Sequence, residues 1–235
     1  MVKIGCCGFP KGMKHYFSRF KLVEVQQTFY KPPQLMTALR WRREAPLDFE
    51  FSIKAWQPIT HPCSSPTYRK SGLEITRGKE GNYGFFRPTE EVMEAWCRTR
   101  EIAEALRARV IVFQCPLSFR QEEQNVANMR RFFGAIDRKF LFVWEPRGEW
   151  SDEGVSALCE ELALVHCVDP LQREPLYGGV SYFRLHGGPG YRHKYTDEEL
   201  KWLGDRWGWE AYFLFNNLYM YDDALRFERI VNGER

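Results

Sequence analysis

Eight short apolar runs recur along the chain, and their order is the feature that most limits which folds it can adopt. The runs are rich in Val, Ile, Phe and Tyr, and most are continuous instead of alternating with polar residues. Continuous runs of this length are typical of strands covered on both faces in a parallel sheet. They lie at Lys3–Phe9, Leu22–Phe29, Phe49–Trp56, Arg109–Cys115, Phe140–Glu145, Leu162–Asp169, Ser181–His186 and Glu210–Asn217.

Helical patterns separate most of these runs. Thr89 and Ser151 are suited to cap the helices that follow them. Strands that alternate with helices imply parallel strands and right-handed crossovers, and eight such units in 235 residues predict one closed barrel. The first and sixth crossovers are short, which keeps an open doubly wound sheet as the alternative. The predicted helices are Gln34–Arg43, Glu90–Arg107, Gln124–Asp137, Ser151–Glu161, Asp197–Leu203 and Tyr221–Val231.

The sequence thus predicts an α/β protein, a single TIM-like (β/α)8 barrel spanning residues 1–235 with a long loop between strand 3 and the following helix. This loop, residues 61–88, is rich in Gly and Pro, and a connection of that length is typical of a lid or binding loop. Basic and aromatic residues alternate in it, which suits an anionic or stacking ligand. A solvated flap held by a few aromatic anchors is the alternative. The residues concerned are Tyr68, Arg69, Lys70, Arg77, Lys79, Tyr83, Phe85, Phe86 and Arg87.

Composition excludes several classes of protein. The net charge is only +3, from 34 Lys and Arg against 31 Asp and Glu, and does not by itself require a polyanionic partner. Seven cysteines without a Cys-x-x-Cys pair argue against a disulfide framework and a zinc knuckle. The N-terminus enters a strand pattern directly, and no apolar run approaches the roughly 18 residues of a membrane span. We therefore expect a cytoplasmic protein without a membrane partner; its oligomeric state is not predicted.

Polar residues collect at the predicted carboxyl ends of the strands, where a barrel of this kind builds its binding site. Burying so many polar groups is costly unless they bond each other or a ligand, so we expect a functional pocket there. Single pairs have a simpler explanation: Glu145 with Arg147 or Lys54 would also serve as a structural ion pair. The candidates are Glu24, Tyr30, Lys54, His61, Gln114, Glu145, Arg147, Asp169, Arg184, His186, Asn216 and Asn217.

Two further patterns bear on chemistry. Glu24, Gln26, Thr28 and Tyr30 alternate and are expected to line one face of the second strand. The segment 186–190, His-Gly-Gly-Pro-Gly, could present backbone N–H groups to a phosphate, although this signal is weak alone. The sequence contains no Walker loop, no G-x-G-x-x-G and no nucleophile elbow.

The strand ends also resemble those of the YecE-like family, known as domain of unknown function 72. The matching blocks follow the family's order along nearly the whole chain, and the resemblance implies a TIM-like barrel while implying little about activity. Gln26 stands where the family usually has Asn, Pro146 replaces an aromatic residue, and the loop 64–87 matches no family block. The blocks are VEVQQTFY (23–30), FSIKAW (51–56) with His61, VFQCPLSF (112–119), VWEPR (143–147) with Trp150, RLHG (184–187), YTDEEL (195–200) and YFLFNN (212–217).

Three functions remain open at this point. The first is a metal-assisted hydrolase of a phosphoester, including nucleic acid, in which a divalent metal activates water. In that hypothesis carboxylates and imidazoles hold the metal, with Asp169 and His61 as its candidate ligands. Lys54, Arg147 and Arg184 would neutralise the charge of the ligand.

The second hypothesis is a metal-free enzyme acting on a small anionic or sugar-like ligand. Arg147 and Arg184 would then bind a carboxylate or phosphate, Glu145 or Glu24 would act as general base, and His186 as general acid. The remaining polar candidates, Tyr30, Lys54, Gln114, Asn216 and Asn217, are expected to bind the ligand. The third hypothesis is a binding or scaffold protein without turnover.

Overall fold

The computed structural model describes residues 2–207 and 210–233. In this part of the chain eight parallel strands close into a barrel in sequence order, because β1 pairs with β8 from Val2–Ala211 to Cys6–Phe215. The TIM-like barrel is therefore confirmed, and the open-sheet alternative is wrong. The strands are β1 Val2–Cys7, β2 Leu22–Val25, β3 Glu50–Lys54, β4 Val110–Gln114, β5 Leu141–Glu145, β6 Val165–Val168, β7 Ser181–Leu185 and β8 Ala211–Phe215.

Helices cover the outside of the barrel. The oxygens of Thr89 and Ser151 accept hydrogen bonds from the backbone of Val92 and Gly154, as expected of N-caps. The first crossover has only a five-residue helix, and the described residues 169–180 of the sixth contain none. The helices are α1 Met13–Phe17, α2 Gln27–Tyr30, α3 Leu35–Glu44, α4 Glu90–Leu106, α5 Glu123–Ala135, α6 Asp152–Glu161, α7 Asp197–Trp207 and α8 Met220–Asn232.

The second strand is shorter than predicted. It ends at Val25, and the residues that follow turn into α2. The hydroxyl of Thr28 donates to the carbonyls of Val25 and Lys54 at 2.8 and 2.7 Å, which holds this turn against β3. The expectation that Thr28 and Tyr30 continue the strand face of Glu24 is therefore wrong.

Side chains fill the inside of the barrel at its amino-terminal end. Lys3 Nζ donates to Glu50 Oε2 at 2.5 Å and to Tyr212 Oη at 2.9 Å, and Tyr212 Oη donates to Glu50 Oε1 at 2.7 Å. We call these three residues the basal plug. Above it lie a Ser52–Tyr182 hydrogen bond of 2.8 Å and a layer of apolar side chains from several strands. These polar side chains are bonded to one another, so the carboxyl end of the interior is where a binding site is expected, as in other barrels of this kind.

The segment 61–88 is anchored to the barrel by its last residues. Phe86 is fully buried among Phe113, Phe132 and Phe133, and its N–H donates to the carbonyl of Ile59 at 2.8 Å. Tyr83 is also buried. The rings of Tyr83 and Phe86 anchor the segment and are not free to stack on a ligand. A lid function of the segment stays a prediction.

The sequence also predicts that no segment spans a membrane. Within residues 2–207 and 210–233, none of the helices combines the length and apolar character needed to cross a bilayer.

Candidate functional site at the carboxyl end of the barrel

Arg184 lies at the centre of the polar cluster, at the end of β7. Its side chain is only 1% exposed, and it binds two carboxylates from opposite sides of the barrel. Nη1 donates to Glu145 Oε2 at 2.5 Å, and Nε donates to Glu24 Oε1 at 3.1 Å. Each buried carboxylate needs a compensating charge: Arg184 is shared by both, and Arg147 supplies a second positive charge at Glu145.

Glu24 is fully enclosed by donors from its neighbours. Tyr182 Oη donates to Oε2 at 2.9 Å, Gln26 Nε2 donates to Oε1, and the Cys7 thiol lies 3.5 Å from the same oxygen. Together with Arg184 these contacts occupy both carboxylate oxygens. The side chain of Glu24 therefore lies at the predicted end of the barrel. It lies inside the barrel, where both of its oxygens accept hydrogen bonds.

Glu145, at the end of β5, joins Arg184 to the cavity. Its Oε1 accepts from Arg147 Nε and lies near His186 Nε2, both at 3.0 Å. Burial alone would raise the pKa of this carboxyl, but the charges of Arg184 and Arg147 hold the pKa well below its usual range. Glu145 is thus ionised at neutral pH and keeps one oxygen in contact with groups that face solvent.

His186 follows β7 and is held in a defined orientation. The Asp169 carboxylate accepts from the backbone N–H of His186 at 3.1 Å and from that of Leu171 at 3.2 Å. On the ring, Nε2 contacts Glu145 and Nδ1 lies 3.1 Å from Asn216 Nδ2. Arg147 Nη2 also lies 3.1 Å from Nε2, so the ring is fixed by contacts with Glu145, Arg147 and Asn216.

Lys54 ends β3 and is 3% exposed. Its Nζ donates to Gln114 Oε1 at 2.5 Å and lies 3.9 Å from the centre of the Phe29 ring. Among the described residues it forms no ion pair within 4.0 Å. Burial, followed by the charge of Arg184, lowers the pKa of this amine to about 7.

Two cavities meet at Arg147. One, of about 440 Å³, is lined by Lys54, Gln114 and Arg184 and by Tyr30 on its wall. The other, of about 460 Å³, adds Arg173 on the far side. Arg147 and Tyr191 line both, so the two cavities adjoin. Both are of the size found for small-molecule sites.

The expected metal ligands are not brought together. Asp169 lines the cavity that holds Arg173, whereas His61 lies in the other, its Nδ1 2.8 Å from Thr60 Oγ1. Burial lowers the pKa of His61 to about 3, and the oxygens of Asp169 are used by backbone donors. No group of three or more His, Cys, Asp and Glu suited to a metal occurs in residues 2–207 and 210–233. The donor set therefore does not fit the expected metal site.

The remaining candidates divide into two kinds. Tyr30, Gln114 and Asn216 line the cavity of Lys54 and expose polar atoms or a ring towards it. Asn217 is 1% exposed, and its Nδ2 donates to Asp223 Oδ2 at 2.6 Å and to the carbonyl of His193 at 2.8 Å. Its side chain therefore positions the segment before α8.

Several contacts were not predicted from the sequence. Tyr182 binds Glu24 from inside the barrel, and its position two residues before Arg184 on one strand was the signal that could have revealed it. Phe29 contacts Lys54 through its ring and Tyr191 lies edge-on to His186 at 6.0 Å between centroids. Both come from segments that bend towards the cavity, and sequence spacing does not reveal such bends.

The order of the strands and their polar ends can now be compared with known proteins. A family model described as a protein of unknown function, DUF72, matches residues 8–234. The chain belongs to the DUF72 family. The resemblance of its strand-end blocks is therefore confirmed, and the polar cluster around Arg184 is built on those blocks of a DUF72 barrel. A comparison with curated proteins gave no match.

Solved structures of DUF72 proteins have the same fold. A DUF72 family protein from Thermotoga maritima is 21% identical at a TM-score of 0.71, with 99% of each chain covered. One from Enterococcus faecalis is 16% identical at 0.73, covering 99% of this chain and 96% of the other. A xylose isomerase domain containing protein from Salmonella typhimurium is 13% identical at 0.57, with coverages of 99% and 96%. At these identities the likeness extends to the fold alone.

Proposed function

We propose that this DUF72 protein is a metal-independent enzyme that acts on a small anionic, sugar-like molecule in the two adjoining cavities. The observation that carries the proposal is the engagement of Glu24 and Glu145 by Arg184, which leaves a binding surface dominated by cations and amides. A carboxylate cluster open to a divalent metal would need those oxygens free.

Arg147 is the group that would bind the anion. Its Nε is held by Glu145, while its Nη2 reaches the junction of the cavities near the His186 ring. A planar guanidinium fixed on one edge presents its other N–H groups in the arrangement that suits a carboxylate or phosphate. Arg173 lines the same cavity and adds a second positive charge.

His186 and Glu145 would carry the proton. The imidazole contacts an ionised carboxylate on one nitrogen and an amide on the other, so it can exchange a proton while its orientation is kept. Gln114 and Asn216 would bind hydroxyl groups of the ligand, and Tyr30 would line its path. Perturbed acid–base groups in a cleft favour chemistry over simple binding.

The nucleic-acid hydrolase is supported less well. The aromatic anchors of segment 61–88 are buried, and Lys79 is engaged by Glu91 at 2.8 Å. The two cavities, of about 460 and 440 Å³, have the dimensions of a small-molecule site. We therefore favour the small anionic ligand over a nucleic-acid strand.

Thermal unfolding with matched ligands tests the proposal. Glucose 6-phosphate and ribose 5-phosphate are expected to raise the Tm of the wild-type protein, whereas glucose and ribose leave it unchanged, because only the phosphates bind Arg147. The shift is expected to disappear in Arg147→Met. Arg131→Met, which removes an exposed arginine on α5, serves as the control and should keep the full shift.

Two outcomes would overturn this function. One is an equal Tm shift from phosphates in the Arg147→Met protein and the wild type. The other is a rise in Tm on addition of one equivalent of Mn²⁺, Mg²⁺ or Zn²⁺ that is lost in Glu24→Gln or Glu145→Gln. That result would favour the metal-assisted hydrolase instead.

A further inference from the structure

We propose that Lys54 is a nucleophile that forms a covalent imine with an aldehyde or ketone group of the ligand. The inference rests on the proposed function, since it assigns a reactive group to the same anionic molecule. It defines the substrate class as a small carbonyl compound that also carries a carboxylate or phosphate.

The position of Lys54 is the first argument. Lys54 lies at the carboxyl end of β3 and lines a cavity of about 440 Å³, with its amine in contact with Gln114 and the Phe29 ring. A side chain on a barrel strand is positioned more precisely than one on a loop. The side chain is 3% exposed and packed on all sides, which limits it to a few conformations.

The second argument concerns the groups that contact the amine of Lys54. A lysine buried for structure alone normally has a carboxylate beside it, because an unpaired buried charge is costly. Lys54 instead bonds to a neutral amide, while Arg184 takes both nearby carboxylates. The amide oxygen of Gln114 can accept a hydrogen bond from a neutral amine as well as from an ammonium ion, so the contact is kept on loss of the proton.

The charged groups around the amine favour that loss. Arg184 on β7 and Arg147 after β5 repel the ammonium form, while Glu24 on β2 and Glu145 on β5 attract it. Buried His61, facing the same space, is neutral at pH 7. Burial is the largest influence, and the pKa of about 7 leaves a substantial fraction of free amine at neutral pH.

The covalent step balances without any further reagent. The amine lone pair of Lys54 attacks the carbonyl carbon, and the carbonyl oxygen takes the proton released from nitrogen, giving a carbinolamine. A proton from solvent then joins the hydroxyl, which leaves as water while the nitrogen lone pair forms the iminium double bond. The positive charge that results on nitrogen withdraws electrons from the neighbouring carbon.

The cavities separate the two ends of such a ligand. Arg147 and Arg173 would hold the anionic group in the cavity beside β6, while the carbonyl extends past Arg147 to Lys54. Placing the anion away from the amine matters, because a negative charge beside Lys54 would favour its protonated form. His186 lies at the junction and could remove or return a proton next to the iminium carbon.

Reductive trapping of the full-length protein tests the inference. The protein is incubated at pH 7.5 with glyceraldehyde 3-phosphate or glyceraldehyde and cyanoborohydride, and the labelled lysines are identified by peptide mass spectrometry. Lys54 is expected to react at least about tenfold faster than exposed Lys201, because its amine faces the ligand cavity and its pKa of about 7 leaves it largely unprotonated at this pH. The phosphate should react faster than glyceraldehyde, and Arg147→Met should abolish that preference.

Each outcome has a defined meaning. If Lys54 is labelled no faster than Lys201, while sugar phosphates still raise Tm through Arg147, the imine is overturned and the proposed function stands. If Lys54 is labelled equally by both aldehydes and Arg147→Met changes nothing, the reactive amine stands and the anionic ligand is overturned.

Lys54→Arg provides the matched variant, since it keeps a cation but cannot form an imine. It should lose the label at this position while its circular dichroism spectrum stays unchanged. Should this variant fail to fold, peptide mapping of the wild type still decides, because it identifies the labelled lysine directly.

Discussion

One guanidinium organises the residues at the mouth of the barrel. Arg184 joins Glu24 on β2 to Glu145 on β5, and through Glu145 it fixes Arg147 and His186. Removing one member of such a buried set leaves an uncompensated charge, which is far more costly than losing a surface pair. The carboxylates that would otherwise pair with Lys54 are therefore already bonded to Arg184.

The protonation of Lys54 makes a prediction about stability and pH. The pKa of this amine is about 7 in the folded protein against an ordinary value of 10.5, so the unfolded chain binds more protons between these values. Stability contributed by this group therefore rises as pH increases through that window, with a slope of at most about 1.4 kcal/mol per pH unit.

Urea unfolding of the wild type and Lys54→Met between about pH 6.5 and 9 measures this effect. The difference in unfolding free energy, wild type minus variant, is expected to increase with pH, since other titrating groups cancel between the two proteins. A difference that is flat across this range would show that Lys54 has an ordinary pKa.

At the residue scale the sequence predicted most of the polar cluster. The position of Arg184 and Glu145 at the ends of apolar runs placed them at the carboxyl end of the barrel. Alternation along β7 would also have indicated Tyr182 as an inward residue, which was overlooked. Roles were harder to predict because they depend on partners distant in sequence. The carboxylate of Asp169 is a type of group that binds metals, yet its oxygens accept hydrogen bonds from the backbone N–H groups of Leu171 and His186.

The segment 61–88 shows how one element is fixed to another. A Cβ placed on Gly84 would lie 2.3 Å from the carbonyl carbon of His61, and the residue has a φ of 78°, which favours glycine. Glycine at this position therefore lets the segment return to the barrel beside His61 and bury Phe86.

Gly84→Ala is expected to lower the free energy of unfolding by about 1–3 kcal/mol, because the added methyl group overlaps backbone atoms. Gly81→Ala is the matched control in the same segment, since its Cβ would meet nothing within 4 Å. Urea denaturation followed by fluorescence measures both. Equal stability of the two variants would mean that the segment is not anchored at Gly84.

Element boundaries were predicted less accurately than element types. The apolar run of the second strand continues to Phe29, but the chain leaves the sheet at Val25 because Thr28 bonds back to it and to β3. Hydrophobic periodicity does not register such a turn, since Phe29 remains buried in α2. The N-caps Thr89 and Ser151 were predictable because capping depends on local sequence alone.

At the scale of the whole molecule, closure of the barrel depends on close backbone contact between β1 and β2. A Cβ on Gly5 would lie 2.2 Å from the carbonyl oxygen of Leu22. Since β1 also pairs with β8, a displacement here affects both seams of the closing strand.

Gly5→Ala is therefore expected to destabilise the whole barrel by about 1–3 kcal/mol. Circular dichroism and tryptophan fluorescence should report one shifted transition, because a barrel unfolds as a unit. Gly134→Ala on α5, where a Cβ meets nothing within 4 Å, should be neutral or slightly stabilising. A Gly5→Ala protein as stable as Gly134→Ala would contradict this role.

The basal plug of Lys3, Glu50 and Tyr212 fills the amino-terminal end of the barrel interior, whereas the described cavities beside Lys54 and Arg147 lie at the carboxyl end. Under the proposed function, a molecule bound at Lys54 would therefore enter and leave at the carboxyl end, where both cavities lie. Substrate and product would then compete for the same end of the barrel, and we would expect product inhibition to be competitive with substrate.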